Sequence, residues 1–305
     1  VRIVYLGTSP FAAAVLGALA ETPHRPALVV TRPDRPRGRG RRLAAPPVAE
    51  TARRLGLALI QPPDVGAESA RAEIAAARPE ALVVCAFGAL IKEPLLSDHD
   101  VLNVHPSLLP RWRGAAPIER AIMAGDPRTG VSIMRLTAGL DTGPVALAGS
   151  EPITASDTFG TLAGRLESLG AALLLRALDA GPGGLTFHEQ DESGVTYAEK
   201  ISAADRILDG AVETADALAR RVRALTPHVG AAVRLSDGER LGVLEVRARA
   251  AVAGDPPPGE LGVTGGHPLL GAARQSTLEL REVRPASGRP MDGAAYLRGR
   301  RPTRR

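Results

Sequence analysis

Cysteine is nearly absent from this chain. The single copy, Cys85, excludes an intrachain disulfide and lies inside the apolar run 81–86, so it reads as a buried core residue of a cytoplasmic protein. Long apolar runs are missing too. None reaches the roughly 18 residues of a membrane span, and the chain opens on a strand-like segment with no secretory signal. Six scattered histidines and one cysteine show no metal-ligand spacing, and no internal repeat is present. Lysine is almost gone: all but two of the 38 basic residues are arginine, a bias that a GC-rich genome produces without any function.

What is present suits a folded protein. The 44% hydrophobic and 23% charged residues exclude global disorder, and 305 residues allow one large domain or two ordinary ones. The net charge is only +5, but arginines cluster twice, at 32–42 and in the tail 298–305. Local cationic clusters suit a phosphate-rich partner, and composition does not separate RNA from DNA.

Hydrophobic patterning divides the chain. Residues 1–6 read as a buried parallel strand, Gly7-Thr-Ser9 as a turn with Ser9 as N-cap, and Phe11, Val15, Leu16 and Leu19 as one helix face. A strand at 27–31 completes the opening of a doubly wound, mostly parallel α/β sheet. The turn Gly7-Thr-Ser-Pro-Phe-Ala12 lacks the later glycines of a dinucleotide fingerprint, which argues against a nicotinamide cofactor. Residues 31–43, with five arginines among the eight from 35 to 42 interspersed with glycine and proline, predict an exposed, mobile loop that is neither helix nor strand. Strands are expected at 56–60, 81–87, 101–104 and 130–136, with the most apolar, 81–87, at the sheet centre. Ser156 is expected to cap a long helix whose apolar face is Leu162, Leu166, Leu169 and Leu173. This makes 1–187 one domain and 188–206 a linker crossing the surface. Beyond it, a helix at 214–225 precedes short strands with a hairpin signal at Ser236-Asp-Gly-Glu239, predicting a small OB-like β-barrel over 207–305.

Chemistry concentrates in residues 102–118. Asn103 and His105 stand two apart in a β-like run and so leave the same face of a strand. The apolar loop Ser107-Leu-Leu-Pro110 and the cluster Arg111-Trp-Arg113 follow. Histidine serves as base or charged donor near neutral pH, and a carboxamide donates to a developing oxyanion. Open α/β sheets bind ligands beyond the carboxyl ends of their strands, where both this stretch and the glycine-flanked Asp141 fall. A strand end with a polar turn would explain Asn103 or His105 alone; the combined spacing favours a catalytic site.

In Asn103-Val-His-Pro-Ser-Leu-Leu-Pro-Arg-Trp-Arg-Gly-Ala-Ala-Pro117, and in Leu140-Asp-Thr-Gly143, the chain resembles the folate-dependent formyltransferases. Gly7-Thr-Ser-Pro-Phe-Ala12, Pro33-Asp-Arg-Pro-Arg-Gly-Arg-Gly40 and Val195-Thr-Tyr-Ala-Glu-Lys200 resemble the branch that formylates methionyl-tRNA. The resemblance covers essentially the whole chain and implies a Rossmann-like formyltransferase domain followed by the barrel. It implies transfer of a formyl group from 10-formyltetrahydrofolate to the α-amino group of methionine on initiator tRNA, by a bacterial, cytoplasmic monomer without metal or membrane. Asn103, His105 and Asp141 would be catalytic, with Asp141 either orienting and charge-stabilising His105 or relaying a proton to the departing folate nitrogen. Ser107, Leu108, Leu109 and Pro110 would hold the folate, with Arg111 to Arg113 supporting their loop. Arg35, Arg37, Arg39, Arg41 and Arg42 would meet the tRNA acceptor end, Arg39 at the family's key basic position, and basic residues of the barrel would contact the tRNA backbone. The chain departs from the pattern at Leu225-Thr-Pro-His-Val-Gly230, where an aromatic-rich Asn-Pro-Trp type of segment is expected; aromatics are only 3% of this chain.

Two other readings fit parts of the chain. An amino-sugar-nucleotide formyltransferase would share the Asn/His/Asp centre, and a non-catalytic RNA-binding protein would share the scaffold. The arginine loop favours tRNA over the first. The intact Asn103, His105 and Asp141 set argues against the second.

Overall fold

The opening strand, turn and helix set the frame. The computed structural model describes residues 1–37, 42–181 and 183–299. Strand β1 (Ile3–Gly7) is buried throughout and leads into α1 (Pro10–Ala20), where the Ser9 hydroxyl accepts from the Ala12 N–H at 3.2 Å and Pro10 fills the first turn. This turn requires Gly7, because a Cβ there would lie 2.8 Å from both the Ala12 Cβ and the Tyr5 ring. In chain order follow β2 (Leu28–Val30), β3 (Arg35–Arg37), β4 (Arg42–Ala44), α2 (Pro47–Arg54), β5 (Leu59–Ile60), α3 (Glu68–Ala76), β6 (Ala81–Cys85), α4 (Leu95–Asp98), β7 (Val101–His105), β8 (Arg113–Gly114), α5 (Pro117–Ala124), β9 (Arg128–Arg135), β10 (Val145–Pro152), α6 (Phe159–Ala180) and β11 (Tyr197–Ala198). The rest comprises α7 (Ala215–Leu225), β12 (Ala231–Arg234), β13 (Arg240–Ala250), β14 (Leu261–Thr264), β15 (His267–Ala272), β16 (Ser276–Arg284), β17 (Met291–Asp292) and α8 (Gly293–Gly299).

Contacts divide the chain into two compact units: 1–114 with 128–152 and 163–198, and 115–127 with 153–162 and 199–305. The first holds a seven-stranded sheet ordered β5-β2-β1-β6-β7-β9-β10, parallel from β5 to β7 and antiparallel beyond. Its central strands β1 and β6 are apolar and buried along their whole length, as strands covered on both faces must be. Val4, Leu6, Val30, Leu82 and Val84 share one core cluster, each contributing about 1.5–3 kcal/mol on burial. Cys85, fully buried at the end of β6, behaves as the sequence predicts: burial pushes its thiol up to about 12, so it offers no thiolate at neutral pH.

The second unit carries an antiparallel sheet ordered β12-β13-β16-β15-β14, with β17 beside β16, consistent with the expected barrel-like domain. Leu218, Val222 and Leu225 of α7 pack against Val233, Leu241, Val243, Leu278 and Leu280. The predicted hairpin forms: Gly238, at φ 83°, donates to the Leu235 carbonyl at 3.0 Å, and the Leu235 N–H bonds back to Glu239 at 2.9 Å. No helix of the described residues is long and apolar enough to cross a membrane.

Three expectations are corrected and one strand is new. The arginine-rich stretch is not without regular structure, because β3 and β4 pair antiparallel as a short ribbon with Arg37 in register with Arg42. Cross-strand backbone bonding here outweighs the turn composition. Ser156 does not cap α6. That helix starts at Phe159, where the Thr158 hydroxyl accepts from the Thr161 N–H at 3.3 Å and the Thr161 hydroxyl from the Thr158 N–H at 3.0 Å. Strand β10 is unanticipated, because its sequence Val-Ala-Leu-Ala-Gly-Ser-Glu-Pro is half-exposed and poor in β-branched residues. Residues read as a surface linker contain β11, which pairs parallel with β8 and joins the first unit.

One acid-sensitive lock holds the second sheet. The Asp255 carboxylate accepts from both Arg249 terminal nitrogens (2.6 and 2.8 Å), from the Val252 N–H (3.0 Å) and from the Thr277 hydroxyl (3.0 Å), and the Arg249 bond foremost holds its pKa well below the usual carboxylate range. A depressed folded-state pKa contributes stability above the unfolded value, about 3.9, and that contribution disappears as pH falls through the folded value. Asp255→Asn is therefore expected to lower the thermal midpoint at pH 7, and the gap from wild type should narrow below about pH 4. Thermal melts across pH 2–7 check this; a pH-independent gap would contradict it.

Candidate active site

The carboxyl end of β7 places Asn103 and His105 side by side, and antiparallel pairing with β9 sets His105 opposite Ser132. Both are buried, at 7% and 4% exposure, which removes the water that would otherwise compete for their polar atoms. Asn103 is the only asparagine of the chain. The Arg-for-Lys drift has a counterpart in this scarcity, and the one carboxamide of its kind stands in the site. Among the described residues its amide makes no side-chain hydrogen bond and is available to a ligand.

His105 is anchored at one ring nitrogen and faces a carboxylate with the other. Nε2 lies 2.9 Å from the Trp112 carbonyl, an acceptor only, so Nε2 carries a proton and donates. Nδ1 lies 3.6 Å from the Asp141 carboxylate, too long for a closed hydrogen bond. The ring atom left for proton exchange is thus Nδ1, facing Asp141. The Asp141 Oδ2 also accepts from the Gly114 N–H at 2.8 Å, which fixes the carboxylate. Both partners of His105 sit on left-handed backbone, Trp112 at φ 65° and Asp141 at φ 50°. Each such non-glycine residue costs about 1–3 kcal/mol and persists where surrounding contacts enforce it.

The loop 107–110 is tied inward. Ser107 is fully buried, donates its hydroxyl proton to the Arg111 carbonyl at 2.7 Å, and has its own carbonyl bonded by Ser132 at 2.8 Å. Leu109 N–H donates to the Ser132 hydroxyl at 3.2 Å. In this loop the Leu108 N–H and the Leu109 carbonyl alone lack a partner among the described residues. Arg111 stacks over the Trp112 ring at 4.4 Å. Arg113 is 1% exposed; its terminal nitrogens meet Glu192 (2.8 and 3.4 Å), and that bond raises its pKa above the ordinary value. Its Nε donates to Gln190 at 3.0 Å.

The structure therefore brings Asn103, His105, Asp141 and the 107–110 loop together. Of the arginines singled out, Arg35 is exposed on β3, Arg37 and Arg42 occupy ribbon positions, and Arg39 and Arg41 lie outside the described residues. Sequence reasoning missed the Trp112 carbonyl, Gly114, Ser132, Gln190 and Thr196. The Trp112 carbonyl and the Gly114 N–H act through the backbone, Gln190 and Thr196 lie in a segment that reads as polar connection, and Ser132 is a lone hydroxyl within a strand. Among the described residues no group of His, Cys, Asp and Glu is arranged to hold a metal ion.

Residues 1–178 match the family model described as formyl transferase, and 200–301 match the formyl transferase C-terminal domain. The fold is that of the formyl transferase class. The chain is 44% identical to the methionyl-tRNA formyltransferase of Halorhodospira halophila, covering 98% of this chain and 96% of that protein, and 41% identical to that of Methylobacillus flagellatus with the same coverage. It belongs to the methionyl-tRNA formyltransferase family. Among solved structures, HypX from Aquifex aeolicus in complex with tetrahydrofolic acid aligns at TM-score 0.66 and 17% identity over 97% of this chain and 46% of that one. An N-formyltransferase from Helicobacter canadensis, in complex with folinic acid and dTDP-3-aminofucose, aligns at TM-score 0.66 and 13% identity over 92% and 98%. Both share the fold.

The Asp141 loop has no room to move at its far end, since a Cβ on Gly143 would overlap the Arg135 carbonyl. Gly143→Ala is expected to shift the loop and cut turnover at least ~10-fold, measured in steady-state kinetics; unchanged turnover would mean the loop position does not matter to the site.

Proposed function

We propose that the chain transfers a formyl group from 10-formyltetrahydrofolate to the α-amino group of methionine carried on initiator tRNA. The observation that carries this reading is the His105 environment: one ring nitrogen anchored on the Trp112 carbonyl, the other facing Asp141 across 3.6 Å beside the unbonded Asn103 amide. Amine attack on a formyl carbon requires donors for an oxygen that gains negative charge and an acceptor for the proton the amine loses. The Asn103 amide supplies one donor, an effect typically worth about 10²–10³ in rate. The protonated Nδ1 of His105 supplies the other, and Asp141 stabilises that charge. Asp141 also receives the amine proton and returns it to the folate nitrogen as the carbon–nitrogen bond to the donor breaks. Atoms balance: one C–N bond forms, one breaks, and the amine proton ends on the leaving nitrogen. The open Leu108 N–H and Leu109 carbonyl, on a loop with an apolar surface, suit the edge of a pterin ring.

The tRNA is met by Arg35, Arg37, Arg39, Arg41 and Arg42. A second basic surface supports the barrel's role. Arg234 pairs with Arg240 and Arg284 with Gly242, all three arginines exposed on the face away from buried Leu241, Val243 and Val283. Cations of this kind supply salt-sensitive, sequence-independent affinity for phosphate. The high identity to methionyl-tRNA formyltransferases favours this acceptor over an amino-sugar nucleotide.

The direct test supplies 10-formyltetrahydrofolate with methionyl-initiator tRNA and, separately, with an amino-sugar nucleotide. Formyl transfer to the tRNA is expected; transfer to the sugar alone would sink the reading. His105→Ala and Asp141→Asn should each lose at least ~10²-fold in kcat while still binding tRNA, read by single-turnover kinetics and filter binding. Replacing Arg35, Arg37, Arg39, Arg41 and Arg42 with Ala should weaken tRNA use about 10-fold or more and flatten its salt dependence. Folate binding should be untouched, and identical salt profiles would show that the ribbon is merely solvated.

A further inference from the structure

Gln190 occupies a position that the proposed chemistry does not use, in a segment that the sequence presents as a polar connection. Its Nε2 donates to two carbonyls of the Asp141 loop, that of Asp141 itself at 2.8 Å and that of Gly143 at 2.7 Å. Its Oε1 accepts from Arg113 Nε at 3.0 Å. Every hydrogen-bonding direction of the amide except part of the oxygen's capacity is thus committed. Arg113 is itself locked, fully buried and paired with Glu192 at 2.8 Å.

The same stretch grips the other wall of the site. The His188 N–H and carbonyl bond Val145 at 2.9 and 2.8 Å, just past the Asp141 loop. Thr196 accepts the Trp112 N–H on its hydroxyl at 2.9 Å and the Arg113 N–H on its carbonyl at 2.9 Å. Residues 188–198 therefore form a strap tied at one end to the loop bearing Asp141 and at the other to the backbone whose carbonyl anchors His105.

The strap meets a specific need. Asp141 is held at φ 50°, a left-handed conformation that a non-glycine residue leaves unless its surroundings enforce it. Relaxation of that one residue would swing the carboxylate away from His105. Two hydrogen bonds from one rigid amide, on either side of Thr142, oppose that rotation. We infer that Gln190 is a positioning residue for the transfer reaction: together with the buried Arg113–Glu192 pair it fixes the Asp141 loop so that the carboxylate stays opposite His105 Nδ1. It touches neither substrate nor the reacting atoms, and this inference rests on the formyl-transfer reading above.

The experiment compares the full chain with Gln190→Met, which keeps the volume and loses all three bonds, and with Gln190→Glu, which keeps a partner for Arg113 but cannot donate to the two carbonyls when ionised. Formyl transfer from 10-formyltetrahydrofolate to methionyl-tRNA is followed in each. Both variants should lose about 10–100-fold in kcat at neutral pH, with KM for either substrate changing less than about twofold, because geometry at the reacting centre and not binding is disturbed. In an Asp141→Asn background, Gln190→Met should cost less than about twofold more, since its effect runs through that carboxylate. Amide hydrogen exchange should rise over residues 137–145 and stay unchanged in β1 and β6. Near-normal kcat in Gln190→Glu, full additivity with Asp141→Asn, or a raised KM at constant kcat would each overturn the inference. So would exchange rising throughout the sheet, which would make Gln190 a general fold contact. If the parent chain formylated no tRNA, the functional reading would fail instead, and the exchange measurement would still decide whether Gln190 holds the loop.

Discussion

The rest of this site depends on one histidine pinned between two acceptors of different kinds. A backbone carbonyl takes the Nε2 proton of His105 at 2.9 Å and does not titrate, so it fixes the tautomer permanently. A carboxylate waits 3.6 Å from Nδ1, close enough to stabilise positive charge and too far to close a direct bond. That asymmetry makes Nδ1 the one ring position where a proton can come and go.

Holding that geometry is demanding, because both partners sit on unfavourable backbone. Trp112 and Asp141 are left-handed without being glycine. The fold meets the cost with glycines where approach is closest and with side chains where a loop must be tied. Gly114 lies at φ 120°, and a Cβ there would meet the Ala198 carbonyl at 2.8 Å. Gly114 also provides the N–H that orients Asp141. The parallel contact between β8 and β11 supplies the rest, drawing a distant segment against the loop after β7. A buried arginine in such a place is tolerable because its guanidinium is paired with Glu192 and hydrogen-bonded to Gln190, which is the condition for burying a charge without a severe penalty.

The proposed division of labour gives phosphate recognition to arginines and proton transfer to one histidine and one carboxylate. Phosphate affinity needs many solvated charges spread over a surface, whereas proton transfer needs a few groups that are dry and rigid. Placing both in one stretch would weaken each.

Much was readable from residues alone. The buried run of β6, the Ser9 cap after β1, the hairpin at Ser236–Glu239 and the side-by-side Asn103 and His105 all follow from local periodicity, capping and turn chemistry, which act over a few residues. Asp141 was legible as an aspartate between glycines at the end of a strand. The family resemblance was legible because its motif is contiguous. Other features were not: the tautomer of His105, the strand β10 at a half-exposed edge, the ribbon formed by an arginine-rich stretch, and the role of Gln190. Each of these depends on which segment comes to lie opposite, and a backbone carbonyl such as that of Trp112, seven residues from His105, has no signature in its own side chain. Sequence by itself determined which chemical groups this protein possesses and on which strand ends they fall. Only the tertiary structure decided which atom of each group faces which partner, because hydrogen-bond direction and distance are set by packing between segments that local pattern does not connect.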